Sequence, residues 1–321
     1  MSQDNRSVLA LAGGVGGAKL AFGLSAVLPA EALTVAVNTA DDFEHLGLSI
    51  SPDLDTVMYT LAGVANPETG WGRRDESWNT MAALEQLGGE TWFRLGDKDL
   101  ATHIERTRRL RAGETLTTVT RDLAQRLGVK CAIVPMTDNP VRTVVTSDRG
   151  DLAFQDWFVR LRCEPAVERV RFTGADKARA NPVLLDMAGL RGVIFCPSNP
   201  FVSVAPILAI PGVRTALQRT TTPRVAVTPI VRGQAIKGPA AKMLAELGHD
   251  VSALGVARYY KGLIDGFVLD QTDAGLKASI EDLGIKVLVA DTMMRTDEDK
   301  RRLAVAALEF VDALARTLQH S

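Results

Sequence analysis

A glycine-rich segment near the start of the chain has the residue types that a phosphate site needs. The apolar run at residues 8–12 is followed by GGVGG at residues 13–17 and then by a helical pattern at residues 18–22. A glycine loop between a strand and a helix lets backbone N–H groups approach an anion, and the helix dipole adds about half a positive charge there. The loop lacks the Gly-Lys-Ser/Thr ending of a P-loop and the spacing of G-x-G-x-x-G. Taken alone, it is equally compatible with phosphate binding and with close packing of a helix on a sheet.

A group of carboxylates follows the second predicted strand. Asp41 and Asp42 come directly after this strand, and Asp53 and Asp55 follow a short loop. Carboxylates near a phosphate loop suit Mg²⁺, which one or two of them can hold together with substrate phosphates. Asp53 lies in the first turn after Pro52, where the helix dipole favours an acid, so we interpret it as a structural residue. Asp42 and Asp55 are then the candidate metal ligands.

Two further loops carry polar residues at positions where ligands often bind. Lys98 follows a glycine turn and opens a predicted helix, where it could meet an anion or remain solvated beside a capping Asp97. Ser198 and Asn199 lie between two prolines, directly after an apolar strand-like run. A rigid loop at the carboxyl end of a strand serves a ligand more often than it serves packing.

The elements that must position these residues follow an α/β pattern. Short strand-like runs alternate with helical patterns, which predicts a Rossmann-like, doubly wound and mainly parallel sheet covered on both faces. Ligands bind at the carboxyl ends of the strands in such a sheet, so we expect the polar residues that follow the strands to converge there. The predicted strands are residues 7–12, 33–38, 130–135, 192–196, 224–229, 266–270 and 286–290.

A helical insertion interrupts this pattern after the second strand. Residues 51–120 contain consecutive helix starts at residues 51–52, 75–77, 98–99 and 117 or 118, which predict a helical lobe inserted into a core of residues 1–50 and 121–321. Alternating apolar residues at 141–145 and 158–161, with a turn at 148–151, predict a small antiparallel extension of the main sheet.

The composition excludes several classes of protein. The formal net charge is −1, so we expect no nucleic-acid partner and interpret the basic run at residues 106–111 as a solvated helix face. No window approaches the roughly 20 apolar residues of a membrane span, which predicts a cytoplasmic protein with no membrane partner. The three cysteines lack disulfide or zinc spacing. We interpret His45 and His103 as packing or hydrogen-bonding residues.

Taken in order along the chain, these patterns resemble the 2-phospho-L-lactate transferase family, which acts late in the biosynthesis of the deazaflavin coenzyme F-420. The resemblance extends from about residue 8 to residue 294 and is specific as an ordered set. The segments that carry it are residues 13–20, 38–42, 50–57, 95–99, 154–157, 197–200, 238–242 and 291–294.

The resemblance implies a group transfer without redox chemistry. The ribityl hydroxyl of the deazaflavin precursor Fo would attack a guanosine-diphosphate-linked donor and release GMP, with Mg²⁺ as cofactor. The group transferred would be a phospholactyl, phosphoenolpyruvyl or phosphoglyceryl unit. The family also implies a homodimer whose only other partners are these small molecules.

The resemblance also assigns roles to single residues. Asp55 would be catalytic and would contact Fo together with Lys98, and the helical insertion would line this acceptor site. Asp42 and Asp55 would hold Mg²⁺. Lys98 stands where the family often has arginine, which keeps the charge and loses the planar fork of a bidentate contact. The implied nucleotide- and phosphate-binding residues are Gly13, Gly14, Gly16, Gly17, Lys19, Asn38, Ser198 and Asn199.

Two other classes of function stay open from the residues alone. A nicotinamide-dependent oxidoreductase would place an acid at the end of the second strand to hold a ribose, whereas this strand ends in Asn38-Thr39. A non-catalytic nucleotide-binding regulator would use the same glycine loop with a purely structural acidic cluster.

Overall fold

The alternating strands and helices form a central parallel sheet, as the sequence predicts. The computed structural model describes residues 6–318. The strands are β1 (Val8–Ala12), β2 (Leu33–Val37), β3 (Phe43–His45), β4 (Leu48–Ile50), β5 (Ala132–Pro135), β6 (Arg142–Ser147), β7 (Gly150–Ala153), β8 (Val167–Thr173), β9 (Gly192–Phe195), β10 (Arg224–Val227), β11 (Ile230–Val231), β12 (Gln234–Ala235), β13 (Gly266–Asp270) and β14 (Lys286–Ala290).

The main sheet has the strand order β14-β13-β10-β9-β1-β2-β5, and every neighbouring pair is parallel. These are the seven strands that the sequence predicts, so the Rossmann-like fold class is confirmed. Alternate residues of β1 enter two different hydrophobic clusters, Leu9 and Leu11 one and Val8 and Ala10 the other. A strand buried on both faces gives this pattern, because its side chains point alternately to opposite sides.

Helices cover both faces of the sheet. They are α1 (Gly14–Val27), α2 (Pro52–Leu61), α3 (Asn79–Gln86), α4 (Asp97–Arg111), α5 (Leu116–Arg126), α6 (Ala205–Ala209), α7 (Val213–Arg219), α8 (Ala240–Glu246), α9 (Ala253–Tyr259), α10 (Lys277–Glu281) and α11 (Asp297–Leu318). In the part of the chain that the structure describes, no single helix has the length and apolarity of a membrane span. One bent pair, Pro200–Ala209 with Val213–Arg219 at 88°, passes that test jointly by length and composition.

The helical segment after β2 has a small core of its own. Ile50, Met81, Leu95 and Leu100 form a hydrophobic cluster beneath α3 and α4. In contrast, Leu54 and neighbouring residues of α2 belong to the cluster that packs on the main sheet. The start of α2 is therefore fixed against the core, beside the strand ends where the predicted site residues lie.

The antiparallel extension is present as a three-stranded sheet in the order β7-β6-β8. The predicted strand at residues 158–161 is wrong, because residues 156–160 form a π-helical turn. This turn buries Trp157 completely, and the indole N–H donates to the Pro165 carbonyl over 2.9 Å. Four alternating residues fit a strand and a helical turn equally well, and the burial of the indole decides between them.

Candidate functional site

A cavity of about 610 Å³ lies at the carboxyl ends of the parallel strands. It is bordered by the glycine loop, the start of α2, the first part of α4 and the loops after β9 and β14. The charged and polar residues that line it include Lys19, Asp41, Asp53, Asp55, Arg94, Asp99, His103, Gln155, Ser198, Asn199, Lys237 and Arg295. Acidic and basic groups thus meet in one space that several distant segments of the chain enclose.

The glycine loop holds the amino end of α1 against the loop that follows β9. Gly13 donates its N–H to the Ser198 hydroxyl over 3.1 Å, and this hydroxyl donates to the Gly13 carbonyl over 2.9 Å. A Cβ on Gly16 would overlap the Pro197 carbonyl oxygen, and one on Gly17 would lie 2.5 Å from Ser198 Oγ. Close packing therefore explains both glycines. Gly14 has open space around it and a φ of 62°, which favours glycine on conformational grounds.

Asp53, which the sequence interpretation treats as a structural residue, lines the cavity and bonds to the glycine loop. Its carboxylate accepts the Gly14 N–H over 2.8 Å and the Asn38 amide over 2.9 Å, so it reaches across to the glycine loop. Its hydrogen bonds thus go to the start of α1 and to Asn38 rather than to the first turn of its own helix, and the carboxylate lines the cavity. Burial raises its pKa to about 6, although the bonds from Asn38 and Gly14 oppose this. In the sequence, the feature that pointed to Asp53 was its position two residues before Asp55, in the acidic segment that follows the phosphate-like loop.

Asn38 is buried beneath the cavity and joins two acids. Its side-chain amide donates to Asp41 over 3.0 Å as well as to Asp53, and to the Val202 carbonyl over 3.0 Å. Within the described residues Asn38 does not line the cavity, whereas Asp41 does. Burial, and then the charge of Asp53, raise the pKa of Asp41 well above its ordinary value.

Asp42 faces away from the cavity lining, toward the start of α2. Its carboxylate accepts the Ser51 hydroxyl over 2.7 Å, so this hydroxyl does not cap α2. Burial raises the pKa of Asp42 to about 8, although the Ser51 hydrogen bond opposes the rise. Of the two acids predicted as metal ligands, Asp55 lines the cavity and Asp42 does not, among the residues that the structure describes.

Asp55 forms a buried ion pair with Arg106 of α4. Both carboxylate oxygens accept from the guanidinium, one of them over 3.0 Å, and the Arg106 side chain is only 1% exposed. The interpretation of residues 106–111 as a solvated face is therefore wrong for Arg106, and also for Arg109, which pairs with Glu114 and Asp122. The basic run lies on an amphipathic helix whose buried cations have acidic partners.

His103 connects this ion pair to a second buried acid. Arg106 lies 3.2 Å from His103 Nδ1, and because arginine can only donate, this ring nitrogen is the acceptor. The other ring nitrogen lies 3.3 Å from Asp99, which also accepts the Tyr59 hydroxyl over 2.7 Å. His103 is thus hydrogen bonded through Nδ1, whereas its buried Nε2 has no hydrogen-bond partner among the described residues, and the ring lines the cavity.

The acidic residues of the cavity fit a divalent cation of the Mg²⁺ type. The buried Oδ1 atoms of Asp41 and Asp42 have no hydrogen-bond partner within the described residues. Asp55, Asp99 and His103 each offer a ligand atom within 4.8 Å of the others. Hard carboxylate oxygens suit Mg²⁺. Asp53 and Asp55 each accept two hydrogen bonds, whereas one oxygen of Asp41 has no partner among the described residues, so Asp41 is the less committed acid of the lining.

Lys98 lies on the outside of the start of α4. Its ammonium donates to the Asp75 carbonyl over 2.5 Å, and among the described residues it does not line the cavity. Its backbone N–H donates to Glu76, whereas Asp97 accepts from the first N–H groups of α3. Glu76 therefore caps α4, and Asp97 caps α3. The cation that this region contributes to the cavity lining is Arg94.

The remaining predicted phosphate residues lie along the cavity wall. Lys19 extends from α1 and donates to the Met294 carbonyl over 2.9 Å, and its pKa is lowered by burial and by the nearby charges of Lys237 and Lys300. Asn199 lines the cavity and accepts the Phe201 N–H over 2.9 Å. Aromatic residues complete the lining, namely Tyr59, Trp71, Phe93, Phe154 and Phe158.

Comparison with known proteins assigns this architecture to a family. Residues 8–309 match the sequence profile described as 2-phospho-L-lactate transferase CofD. A phosphoenolpyruvate transferase of Streptomyces griseus is 41% identical over 312 residues, which cover 95% of this chain and 98% of that protein. A 2-phospho-L-lactate transferase of Methanosarcina mazei is 38% identical over 298 residues, covering 92% and 98%.

A solved structure agrees on the fold. The crystal structure of a upf0052 family protein from Bacillus halodurans superposes with a TM-score of 0.60 over 94% of this chain and 98% of that one. The two sequences are 15% identical, so this likeness concerns the fold alone. The sequence matches establish the family as well as the fold, because they extend over nearly the whole chain and include the loops that enclose the cavity. The chain belongs to the 2-phospho-L-lactate transferase CofD family.

Proposed function

We propose that this protein transfers a phospholactyl-type group from a guanosine-diphosphate-linked donor to the deazaflavin Fo and releases GMP, as a step of F-420 biosynthesis. The observation that carries the proposal is a single cavity in which a glycine loop and lysines meet buried carboxylates and aromatic side chains. The glycine loop and the lysines suit a diphosphate, whereas the buried carboxylates and aromatic side chains suit a flat polar acceptor. Relatives named for phospholactate and for phosphoenolpyruvate leave the acyl unit of the donor open.

The donor's diphosphate would bind at the start of α1. The first N–H groups of a helix have no partner within the helix, and they attract anions. Lys19 adds a cation on the same helix, and Ser198 and Asn199 stand on the facing loop. Asn38 would fix the orientation of Asp41 and Asp53 rather than contact the donor. Its amide hydrogens are already donated to these acids and to the Val202 carbonyl.

The acceptor would bind beside Asp55 and the aromatic lining of the cavity. Its ribityl hydroxyl oxygen forms a bond to the phosphorus of the transferred group, the bond from that phosphorus to the GMP oxygen breaks, and GMP takes the bonding electrons. Asp55 would accept the hydroxyl proton while Arg106 fixes its orientation. A contact from Lys98 requires its ammonium to leave the Asp75 carbonyl.

Mg²⁺ is the cofactor that this reaction calls for. It would neutralise charge on the diphosphate and polarise the bond to GMP. Asp42 and Asp55 are the ligands implied by the family resemblance, and Asp41 and Asp53 join them as candidates because they border the same cavity. The homodimer implied by the resemblance and the cytoplasmic location expected from the composition remain predictions.

A nicotinamide-dependent oxidoreductase fits this site poorly. The residue that ends the second strand in such enzymes holds a ribose, whereas Asn38 is fully buried and hydrogen bonded to Asp41 and Asp53. A nucleotide-binding regulator would bind a nucleotide and would have no use for a second site in the same cavity.

Paired binding titrations test the proposal. Calorimetry would follow GDP with Mg²⁺, fluorescence would follow Fo, and NADH would serve as the competing ligand. We expect GDP and Fo to bind together, one of each per chain, and NADH to displace neither. Failure of Fo to bind in the presence of GDP would contradict the transferase proposal and favour the regulator.

A further inference from the structure

A second lysine borders the cavity from a segment that lies far from the glycine loop in sequence. Lys237 lies on the exposed turn between β12 and α8 and lines the cavity. Its ammonium donates to the Thr69 carbonyl over 2.8 Å. Thr69 belongs to the loop that follows α2 and also lines the cavity, so this hydrogen bond joins two loops of the cavity wall.

The ammonium of Lys237 is next to the glycine loop. A Cβ built on Gly70 would lie 2.8 Å from Val15 Cγ1 and 3.1 Å from Lys237 Nζ, so the amine and the first turn of α1 border the same small space. Lys19, on that helix, is close enough for the Lys237 charge to lower its pKa, after the larger effect of burial. Two lysines from separate segments therefore converge on one helix N-terminus.

These two cations have no acidic partner within the residues that the structure describes. Lys19 and Lys237 each donate to a backbone carbonyl, whereas Lys300 nearby pairs with Asp297. Two like charges beside a helix N-terminus repel each other and the dipole, so their convergence is unfavourable until an anion binds between them. A diphosphate has the charge and the separated oxygens to accept from both lysines.

We propose that Lys237 is a second lysine ligand of the donor's diphosphate and that it leaves the Thr69 carbonyl when the donor binds. The proposal rests on the proposed function, since it needs a diphosphate-linked donor in this cavity. Exchange of a neutral carbonyl for a phosphate oxygen gives a charge-assisted hydrogen bond, which is the stronger of the two. Donor binding would thereby release the loop that carries Trp71, another residue of the cavity wall.

Substitutions of Lys237 separate the effect of its charge from the effect of its hydrogen bond to the Thr69 carbonyl, which joins the two loops. Lys237→Ala removes both, whereas Lys237→Gln keeps an N–H donor for the Thr69 carbonyl and loses the charge. Calorimetry with GDP and Mg²⁺ would compare these variants with Lys237→Arg and with Lys261→Ala, an exposed lysine outside the cavity lining. We expect the Ala and Gln variants to bind GDP about tenfold to a hundredfold more weakly, Arg to stay within about tenfold, and Lys261→Ala to match the unmodified protein.

Each outcome decides the proposal. Full GDP affinity in both Lys237→Ala and Lys237→Gln would overturn it. Affinity lost in Ala and restored in Gln would also overturn it, because the tie to Thr69 would then suffice. Absence of GDP binding by the unmodified protein would instead contradict the proposed function itself.

Discussion

At the scale of single residues, the site depends on charges that water hardly reaches. The Asp55 and Arg106 side chains are 7% and 1% exposed, and each satisfies the other's charge. Loss of one partner leaves the other charge buried without compensation, which is strongly unfavourable. The pair therefore serves the fold as well as the orientation of the Asp55 carboxylate in the cavity.

Replacement of Arg106 tests this dependence. Arg106→Met should lower the free energy of unfolding by about 3–5 kcal/mol, because the Asp55 carboxylate remains buried without its partner. Urea denaturation would measure the change. Arg108→Met is the matched control, since Arg108 lies on the same helix with 65% of its side chain exposed, and its effect should stay within about 0.5 kcal/mol. Equal effects of the two substitutions would contradict the account.

Lys98 and Arg94 offer alternative cations for the acceptor. The family resemblance favours Lys98, so Lys98→Ala should weaken Fo binding about tenfold to a hundredfold and leave GDP affinity unchanged. Arg94→Ala is the comparison, because Arg94 lines the cavity and Lys98 does not, among the described residues. Fluorescence titration with Fo would rank the two, and a loss confined to Arg94→Ala would transfer the acceptor role to that residue.

The buried acids predict how stability depends on pH in the absence of metal. Burial raises the pKa of Asp42 from 3.8 to about 8. A carboxyl with a raised pKa stabilises the folded state while it is protonated, so its contribution is complete below about pH 4 and is lost as the pH rises through 8. Asp42→Asn should flatten this fall, and denaturation at a series of pH values in chelator would measure it. An unchanged profile in Asp42→Asn would contradict this assignment.

Only part of this residue-level detail was predictable. The glycine loop, Asp55 and Ser198 follow strand ends, and a parallel sheet brings such positions together. The partner of Asp55 is 51 residues away in sequence, and a run of arginines looks the same whether or not acids lie behind it. The hydrogen bond from the Gly14 N–H to Asp53 likewise depends on how the first turns of α1 and α2 pack together, which the local sequence does not determine.

At the scale of elements, the position of α1 sets the geometry of the proposed phosphate site. This helix packs on α2 and α11, and at Gly23 its backbone comes so close to α11 that a Cβ would overlap the Lys300 carbonyl oxygen. The glycine is therefore required by packing between helices rather than by a turn.

Substitution at Gly23 tests this contact. Alanine would normally stabilise a helix by about 1 kcal/mol over glycine, but here we expect Gly23→Ala to destabilise the protein by about 1–3 kcal/mol through overpacking. Thermal denaturation would measure the loss. Gly275→Ala provides the control, because a Cβ there meets open space. A gain in stability at Gly23 would show that α11 can move aside without cost.

The strands were predictable as elements and the helix starts less so. All seven strands of the main sheet stand out as apolar runs, and inner strands such as β1, β9 and β13 do so because they are buried on both faces. The sequence places the second helix of the insertion at Asp75–Ser77, whereas α3 begins at Asn79, since its first N–H groups bond to Asp97 from the next helix. A cap supplied by another element cannot be read from local sequence.

At the scale of the whole molecule, the cavity exists because distant segments enclose the strand ends. The insertion supplies Asp55, Asp99 and His103, and the second half of the chain supplies Ser198 and Lys237. The fold follows from the order of strands and helices, whereas the function follows from which side chains these segments bring together. The reaction proposed for this cavity depends on that enclosure.

The most direct test of that reaction is turnover. The purified protein would be incubated with Fo, Mg²⁺ and, in separate reactions, the phospholactyl, phosphoenolpyruvyl and phosphoglyceryl donors, with GMP and the mass of the product measured in each. The account predicts one GMP for every phosphodiester formed, a preference for one donor, and loss of both products in excess chelator. Absence of GMP and of any new deazaflavin product with all three donors, while Fo and GDP still bind, would contradict it.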